Sequence, residues 1–200
     1  MITCILLRHA ATAGNLAGRY IGFRSDEDIT REKDSDILQV SDQIRGILCD
    51  PVVISGPQRR CINTASVLFP DKNPLIADGL SEMDFGSFEG RTYDELKGLD
   101  EYRSWIGGMV DSPPGGESRD EFIRRSMRGF DDAMKLAAGG KEILIICSGG
   151  NIMAVMSSLT GRDYYDFHTG NLEGFILRFD HYDKGIHGLS YDRFGVGRNT

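Results

Sequence analysis

The sequence predicts an α/β protein, and three observations carry that reading. Apolar runs of strand length recur at residues 2–7, 52–54 and 143–147. Unbroken runs of this kind fit strands that are covered on both faces. Each run leads through polar or glycine-containing turns toward a longer stretch with helical spacing. The turns hold the chemically interesting residues: Arg8-His9 after the first run, Arg59-Arg60 after the second, and Ser148-Gly149-Gly150 after the third. Open α/β sheets place ligand sites at the carboxyl ends of their strands.

The composition sets the bounds. The chain has 200 residues, 40% of them hydrophobic and 26% charged, which suits one domain with a sizeable core over residues 1–200. The formal net charge of -7 argues against a general nucleic-acid or anionic-membrane binder. A small anionic substrate then requires a local basic pocket. No run approaches the ~18 apolar residues of a membrane span. The start enters the first strand without a basic stretch, so no signal peptide is expected. Cys4, Cys49, Cys61 and Cys147 lie far apart without metal-ligand spacing, and free thiols in a cytoplasmic protein are the simplest account. Cys4 and Cys147 belong to apolar runs and are expected in the core.

In chain order, residues 2–7 form the first strand and residues 17–36 a polar loop. Ile37, Leu38, Val40, Ile44, Ile47 and Leu48 give helical spacing, and Pro51 closes that helix. Residues 52–54 are a strand that passes through Pro57 into a helix, where proline suits the start. Leu75-Ile76 is a further short strand. Thr92 caps a helix over residues 92–99, with Glu95 three residues on as a capping box. Residues 112–118, Ser-Pro-Pro-Gly-Gly-Glu-Ser, form a loop ending in a helix cap. Phe122, Ile123, Met127, Phe130, Met134, Leu136 and Ala137 then mark a long amphipathic helix with its apolar face in the core. The run at 143–147 is the last central strand, and its two glycines let backbone N–H groups approach an anion. Leu177 and Phe179 alternate with Arg178 and Asp180 in another strand. The tail, residues 181–200, is unassigned.

Arg8 is a permanent planar cation suited to an anion with several oxygens, and an imidazole beside it can serve as base or nucleophile. An isolated Arg-His pair at a strand end is an ordinary surface feature, and so is a basic helix start or a loop carboxylate. Their combination is not ordinary. Arg8-His9-Ala10-x-Thr12-x-x-Asn15 resembles the Arg-His-Gly-x-Thr-x-x-Asn signature of the histidine phosphatase superfamily, with Ala10 in place of glycine. Pro57 to Ala65 resembles the family's Ser-Pro-x-x-Arg-x-x-x-Thr-Ala, with Gly56 for serine. Aligning on Pro57, Thr64 and Ala65 selects Arg60, whereas Arg59 would need a one-residue shift. Leu80 to Gly90 resembles Leu-x-Glu-x-x-Phe-Gly-x-x-Glu-Gly, and residues 114–118 match the family's Pro-Gly-Gly-Glu-Ser loop. The family's Leu-Thr-x-x-Gly turn has no glycine in Ile29-Thr30-Arg31-Glu32-Lys33.

The resemblance covers roughly residues 2–180. It implies a three-layer α/β/α sandwich of the phosphoglycerate mutase-like kind, mostly parallel, closed by an antiparallel edge strand at 171–180. It implies a phosphomonoesterase that acts on a small phosphorylated metabolite through phosphohistidine, with no cofactor and no metal. In that scheme His9 is the nucleophile, and Glu82 protonates the leaving oxygen, a role that needs a carboxyl protonated by burial or by the approaching phosphate. Arg8, Arg60 and Asn15 hold the phosphate. Gly149 contributes from the glycine turn, Gly115-Gly116 could bring backbone N–H groups near the substrate, and Glu89 is structural. The short chain and the run at 15–20 look most like the α-ribazole phosphatase and broad-specificity branch.

One position departs. The family's second histidine falls on Ser148, which would line the pocket in its place. His168 is the nearest later histidine, and a lone histidine in an aromatic loop is usually a surface residue. Serine donates one hydrogen bond, is shorter and carries no charge. Losing one preorganised donor typically costs ~10²–10³ in rate, about 2.7–4 kcal/mol, against an acceleration that can reach ~10²¹ for phosphate monoesters. A weakened phosphatase is therefore compatible with the residues. So is a pseudo-phosphatase that binds a phospho-ligand or partner without turnover, and, as a lesser alternative, phosphoglycerate mutase-type transfer. A dinucleotide-binding domain has little support, because no G-x-G-x-x-G follows the first strand. Substrate identity and oligomeric state are not written in the motifs.

Overall fold

Eight strands come from the runs read above and from the tail: β1 Ile2–Arg8, β2 Val52–Ser55, β3 Leu75–Ile76, β4 Glu142–Cys147, β5 Gly174–Phe179, β6 His181–Tyr182, β7 Ile186–His187 and β8 Ser190–Phe194. The computed structural model describes residues 1–30, 34–183 and 185–195. Six strands form one sheet in the order β3-β2-β4-β1-β5-β8. The first four are parallel, with Arg8 opposite Cys147 at the end of β1 and β4. β5 runs antiparallel to both β1 and β8.

The helices are α1 Ala13–Leu16, α2 Asp34–Arg45, α3 Arg59–Leu68, α4 Tyr93–Leu96, α5 Asp100–Ile106, α6 Arg119–Leu136 and α7 Gly149–Thr160. Strand side chains alternate between faces, and β1 divides accordingly. Cys4 and Leu6 join Ile143, Ile145 and Cys147 under Phe130 and Ala133 of α6 and Ile152 and Val155 of α7. Ile5 and Leu7 join Leu144 and Ile146 under Val40 and Ile44 of α2 and Ala65 and Leu68 of α3. The result is the expected three-layer α/β/α sandwich. Truncating a fully buried leucine in either layer, such as Leu6 or Leu7, should cost about 2–5 kcal/mol.

Several boundaries differ from the sequence reading. α2 ends at Arg45, not at Pro51: the chain turns at Gly46, whose N–H donates to the Asp42 carbonyl. Leu38 lies on the outer face, 67% exposed, while Ile37, Val40 and Ile44 are buried. The stretch at 92–99 makes a single capped turn, α4, and the chain then starts α5, which periodicity did not reveal. The 171–180 strand is not the edge. β8 from the unassigned tail pairs outside it. Cys4 and Cys147 are buried as expected. Residues 31–33 of the Ile29–Lys33 comparison lie outside the described residues. Among the described residues no helix is long and apolar enough to cross a membrane.

Candidate active site

β1, β2 and β4 end side by side, and each delivers part of the site. β1 carries Arg8 and His9. The His9 backbone N–H donates to the Cys147 carbonyl at 3.0 Å, which ties the end of β1 to that of β4. The ring is buried, with Nδ1 2.7 Å from the Ala10 carbonyl oxygen. A carbonyl only accepts, so Nδ1 carries the proton and the neutral ring has its lone pair on Nε2. Burial holds the His9 pKa well below 6.5, and the charges of Arg60 and then Arg8 lower it further. Those causes keep the ring neutral and nucleophilic.

One arginine ends β1 and the other stands at the start of α3. Arg8 Nη1 donates to the Thr169 carbonyl at 2.6 Å, and its guanidinium passes over Gly149, where a Cβ would lie 3.4 Å from Nε. Burial lowers its pKa and the Glu82 carboxylate opposes that shift, so the guanidinium stays charged. Arg60, in the first turn of α3, has no exposed surface. Its Nη1 donates to the Ser25 carbonyl at 2.7 Å and its Nη2 to the Gly22 carbonyl at 3.2 Å. Those carbonyls are held in turn by Glu89, whose carboxylate accepts from the N–H groups of Gly22 and Arg24 and from the Ser25 hydroxyl. Arg59, the competing choice, faces outward and pairs with Asp28 at 3.1 Å.

Four buried side-chain polar atoms among the described residues lack a protein partner: Arg8 Nε, Arg60 Nε, Thr169 Oγ1 and Gln43 Oε1. The first three belong to this site. Buried donors of this kind are normally satisfied, and an oxyanion with several acceptor oxygens matches the two guanidinium N–H groups and the hydroxyl.

Glu82 is buried beside the turn into α7. Its Oε2 accepts from the Gly150 N–H at 3.2 Å and its Oε1 from the Met83 N–H at 2.8 Å. A Cβ on Gly150 would stand 2.3 Å from Oε1, so this approach requires glycine. Arg125 of α6 fixes the segment from below, donating to the carbonyls of Gly79, Ser81 and Glu82 while paired with Glu117 at 2.7 Å. The Pro-Gly-Gly-Glu-Ser loop therefore acts through Glu117. Its Gly116 N–H is spent on the Pro113 carbonyl, and both glycines border a separate depression with Phe23 and Arg128 rather than the cavity that Arg8 and Glu82 line.

Ser148 is the N-cap of α7 and is fully buried. Its Oγ sits 3.5 Å from Arg60 Nη2; like His9 and Arg60, it is buried and is not among the residues lining the cavity. Asn15 lines the cavity, and its carbonyl oxygen is engaged by the Thr12 N–H and the Asn171 amide. Asn171 also donates to the His9 carbonyl at 3.0 Å. Asn171 and Thr169 were not singled out in the sequence reading, because their partners are more than 150 positions away. The Gln58 side chain, which accepts from the Glu82 N–H across 24 positions, was also missed, because no local spacing signals that contact.

A cavity of about 330 Å³ opens over this floor. Arg8, Asn15, Glu82 and Gly149 form its polar end, and Tyr20, Phe85, Trp105, Met153, Tyr164 and Tyr165 its apolar wall, with Arg19, Arg119 and His168 also lining it. The local basic pocket that a net charge of -7 requires is present. Tyr20, Phe85 and Trp105 meet edge to face at 5.1–6.1 Å between centroids. Arg119 donates to the Tyr165 hydroxyl at 2.9 Å and lies over that ring.

Comparison with known proteins identifies the family. The sequence profile of the histidine phosphatase superfamily (branch 1) matches residues 4–191. A probable phosphatase of Schizosaccharomyces pombe is 33% identical over 174 residues, covering 80% of this chain but 57% of its own length. A bifunctional protein of Mycobacterium tuberculosis is 37% identical over 98 residues, covering 47% of this chain and 27% of its own length. The chain thus spans little more than half, or less, of these relatives. Among solved structures, a phosphoserine phosphatase of Entamoeba histolytica in complex with 3-phosphoglyceric acid superposes with a TM-score of 0.78 at 27% identity, covering 96% of this chain and 97% of that one. A putative α-ribazole-5'-P phosphatase of Escherichia coli has the same fold, with a TM-score of 0.78 at 20% identity over 97% and 96% of the two chains. The chain belongs to the histidine phosphatase superfamily.

Proposed function

We propose that this superfamily member is a phosphomonoesterase acting on a small phosphorylated metabolite whose alcohol carries an apolar or aromatic body. The observation that supports it most directly is the neutral, buried His9 between two arginines that each keep an unpartnered Nε. The His9 Nε2 lone pair attacks phosphorus in line and forms an N–P bond, while the P–O bond to the leaving alcohol breaks. Arg8 and Arg60 hold the equatorial oxygens, with Asn15 and Gly149 bordering them. Glu82 relays to the departing oxygen a proton that the ester carries in as its monoanion. Glu82 then takes a proton from water, the water oxygen attacks the phosphohistidine, and inorganic phosphate leaves with His9 neutral again. The arginines supply the charge that such a transition state needs. The aromatic wall favours an apolar leaving group by burial.

A second reading, a phospho-ligand binder without turnover, is favoured by Ser148. Its hydroxyl carries no charge and reaches Arg60 only at 3.5 Å, where the family has a second histidine, so one charged donor to the phosphoryl group is missing. Hydrolysis of an aryl phosphate, followed with trapping of acid-labile phosphohistidine, separates the two. Turnover that falls by ~10³ or more in His9→Ala, together with a phosphorylated His9 in the unaltered chain, supports the phosphatase. Turnover that is indifferent to His9→Ala overturns it. A silent chain that still binds phosphate, and that gains turnover in Ser148→His, establishes the second reading.

A further inference from the structure

The tail beyond β5 holds two of the four histidines of the chain, and neither belongs to the cavity. β6 and β7 pair antiparallel with His181 opposite His187 and Tyr182 opposite Ile186. Neighbouring strand residues point to opposite faces, and the two pairs separate accordingly. Tyr182 and Ile186 pack against the core, where the Tyr182 ring meets Phe130 and its hydroxyl donates to Asp131. His181 and His187 face solvent with parallel rings, 4.4 Å between centroids and 9° between planes. Asp183 reaches back over them. Its Oδ1 is 2.8 Å from His187 Nε2 and 3.8 Å from His181 Nε2, and the three ligand atoms lie within 4.8 Å of one another.

We propose that His181, Asp183 and His187 form a binding site for a divalent transition-metal ion of the zinc type, with water completing its shell. Two imidazole nitrogens and one carboxylate oxygen suit zinc and its neighbours and are a poor set for magnesium or calcium. Metal–ligand distances of about 2.0–2.2 Å in a tetrahedron place donor atoms roughly 3.3–3.6 Å apart. The 2.8 and 3.8 Å separations straddle that spacing, and all three ligand atoms lie within 4.8 Å. Because stacked rings point their in-plane lone pairs along parallel lines, binding requires the exposed imidazoles to rotate out of the stack so that both Nε2 atoms converge on the ion. Exposed charged groups often cluster without a ligand. What distinguishes this cluster is that the strand pairing opposes the two imidazoles while Tyr182 and Ile186 anchor the hairpin from its other face.

The site lies far from the phosphate chemistry. β5 starts at Gly174 opposite Leu7, at the cavity end, and finishes at Phe179 opposite Ile2, at the other end of the sheet. The ion would clip the hairpin that joins β5 to β8 rather than take part in a reaction.

The test is a calorimetric zinc titration of the chelator-treated, tag-free full chain, with thermal unfolding followed in parallel. One equivalent should bind and raise the unfolding temperature, and magnesium should do neither. His187→Ala and His181→Ala should each weaken zinc binding by more than about tenfold, while His168→Ala and Cys49→Ser leave it unchanged. The proposal fails if the intact chain shows no saturable zinc binding, if binding persists in the His181→Ala/His187→Ala double variant, or if it is lost in Cys49→Ser or His168→Ala instead. None of these readouts depends on turnover.

Discussion

The floor of the cavity and its apolar wall obey different rules. The floor is set by strand ends and a helix start, where the backbone has little freedom. Arg8 and His9 close β1, and Glu82 is wedged against Gly150 with no room for a Cβ. Each floor residue is backed by partners whose own bonds are complete: Glu89 behind Arg60, Arg125 and Glu117 behind Glu82, and Asn171 behind His9. The wall is built from α5 and from the turn at Tyr164–Phe167, and its residues touch through aromatic faces. A floor fixed by hydrogen bonds suits an invariant phosphoryl group, whereas a wall fixed by packing can be recut for another alcohol.

That contrast breaks most sharply at Arg60. Arg60→Ala should lower kcat/KM for every phosphate ester by ~10²–10³, whatever the alcohol. Steady-state kinetics on an aryl and a short alkyl phosphate check it, with circular dichroism to confirm folding, since the side chain is fully buried. An effect confined to one substrate would mean that Arg60 belongs functionally to the wall.

Trp105→Ala tests the other half. The ring lines the cavity and packs on Tyr20, Phe85 and Phe88. Its loss should raise KM for the aryl ester by about 10-fold, the scale of one lost apolar contact of 1–3 kcal/mol, with the short alkyl ester nearly unaffected. Equal losses on both substrates would show that the wall supports the floor instead of selecting the alcohol.

The smallest expected effect is on stability. The folded-state pKa of His9 lies well below the ordinary 6.5, chiefly through burial. Between those two values the unfolded chain binds a proton that the folded chain refuses, so stability rises with pH across the window and is lost as pH falls through it. His9→Gln should flatten that slope in urea unfolding series taken from neutral pH downward. An unchanged slope would move the titrating group elsewhere.

The sequence by itself determined the central strands of the sheet and the residues of the floor, but not the outer strand β8. Unbroken apolar runs at β1, β2 and β4 fit strands covered on both faces, the motifs at Arg8-His9, Arg60 and Gly149 follow the ends of those strands, and Glu82 follows β3. Short-range spacing carries such information because a strand and the turn after it are local structures. The tertiary structure alone decided the rest. The alignment on Pro57, Thr64 and Ala65 selects Arg60 over Arg59, and what the fold adds is its partners, the carbonyls of Ser25 and Gly22. Ser148 is fully buried because, as the N-cap of α7, it turns into the interior beside Arg60. Asn171, Thr169 and the aromatic wall converge from distant parts of the chain. The histidines of the tail meet because strand pairing sets them opposite each other. These are contacts between residues far apart in sequence, and no local periodicity encodes them.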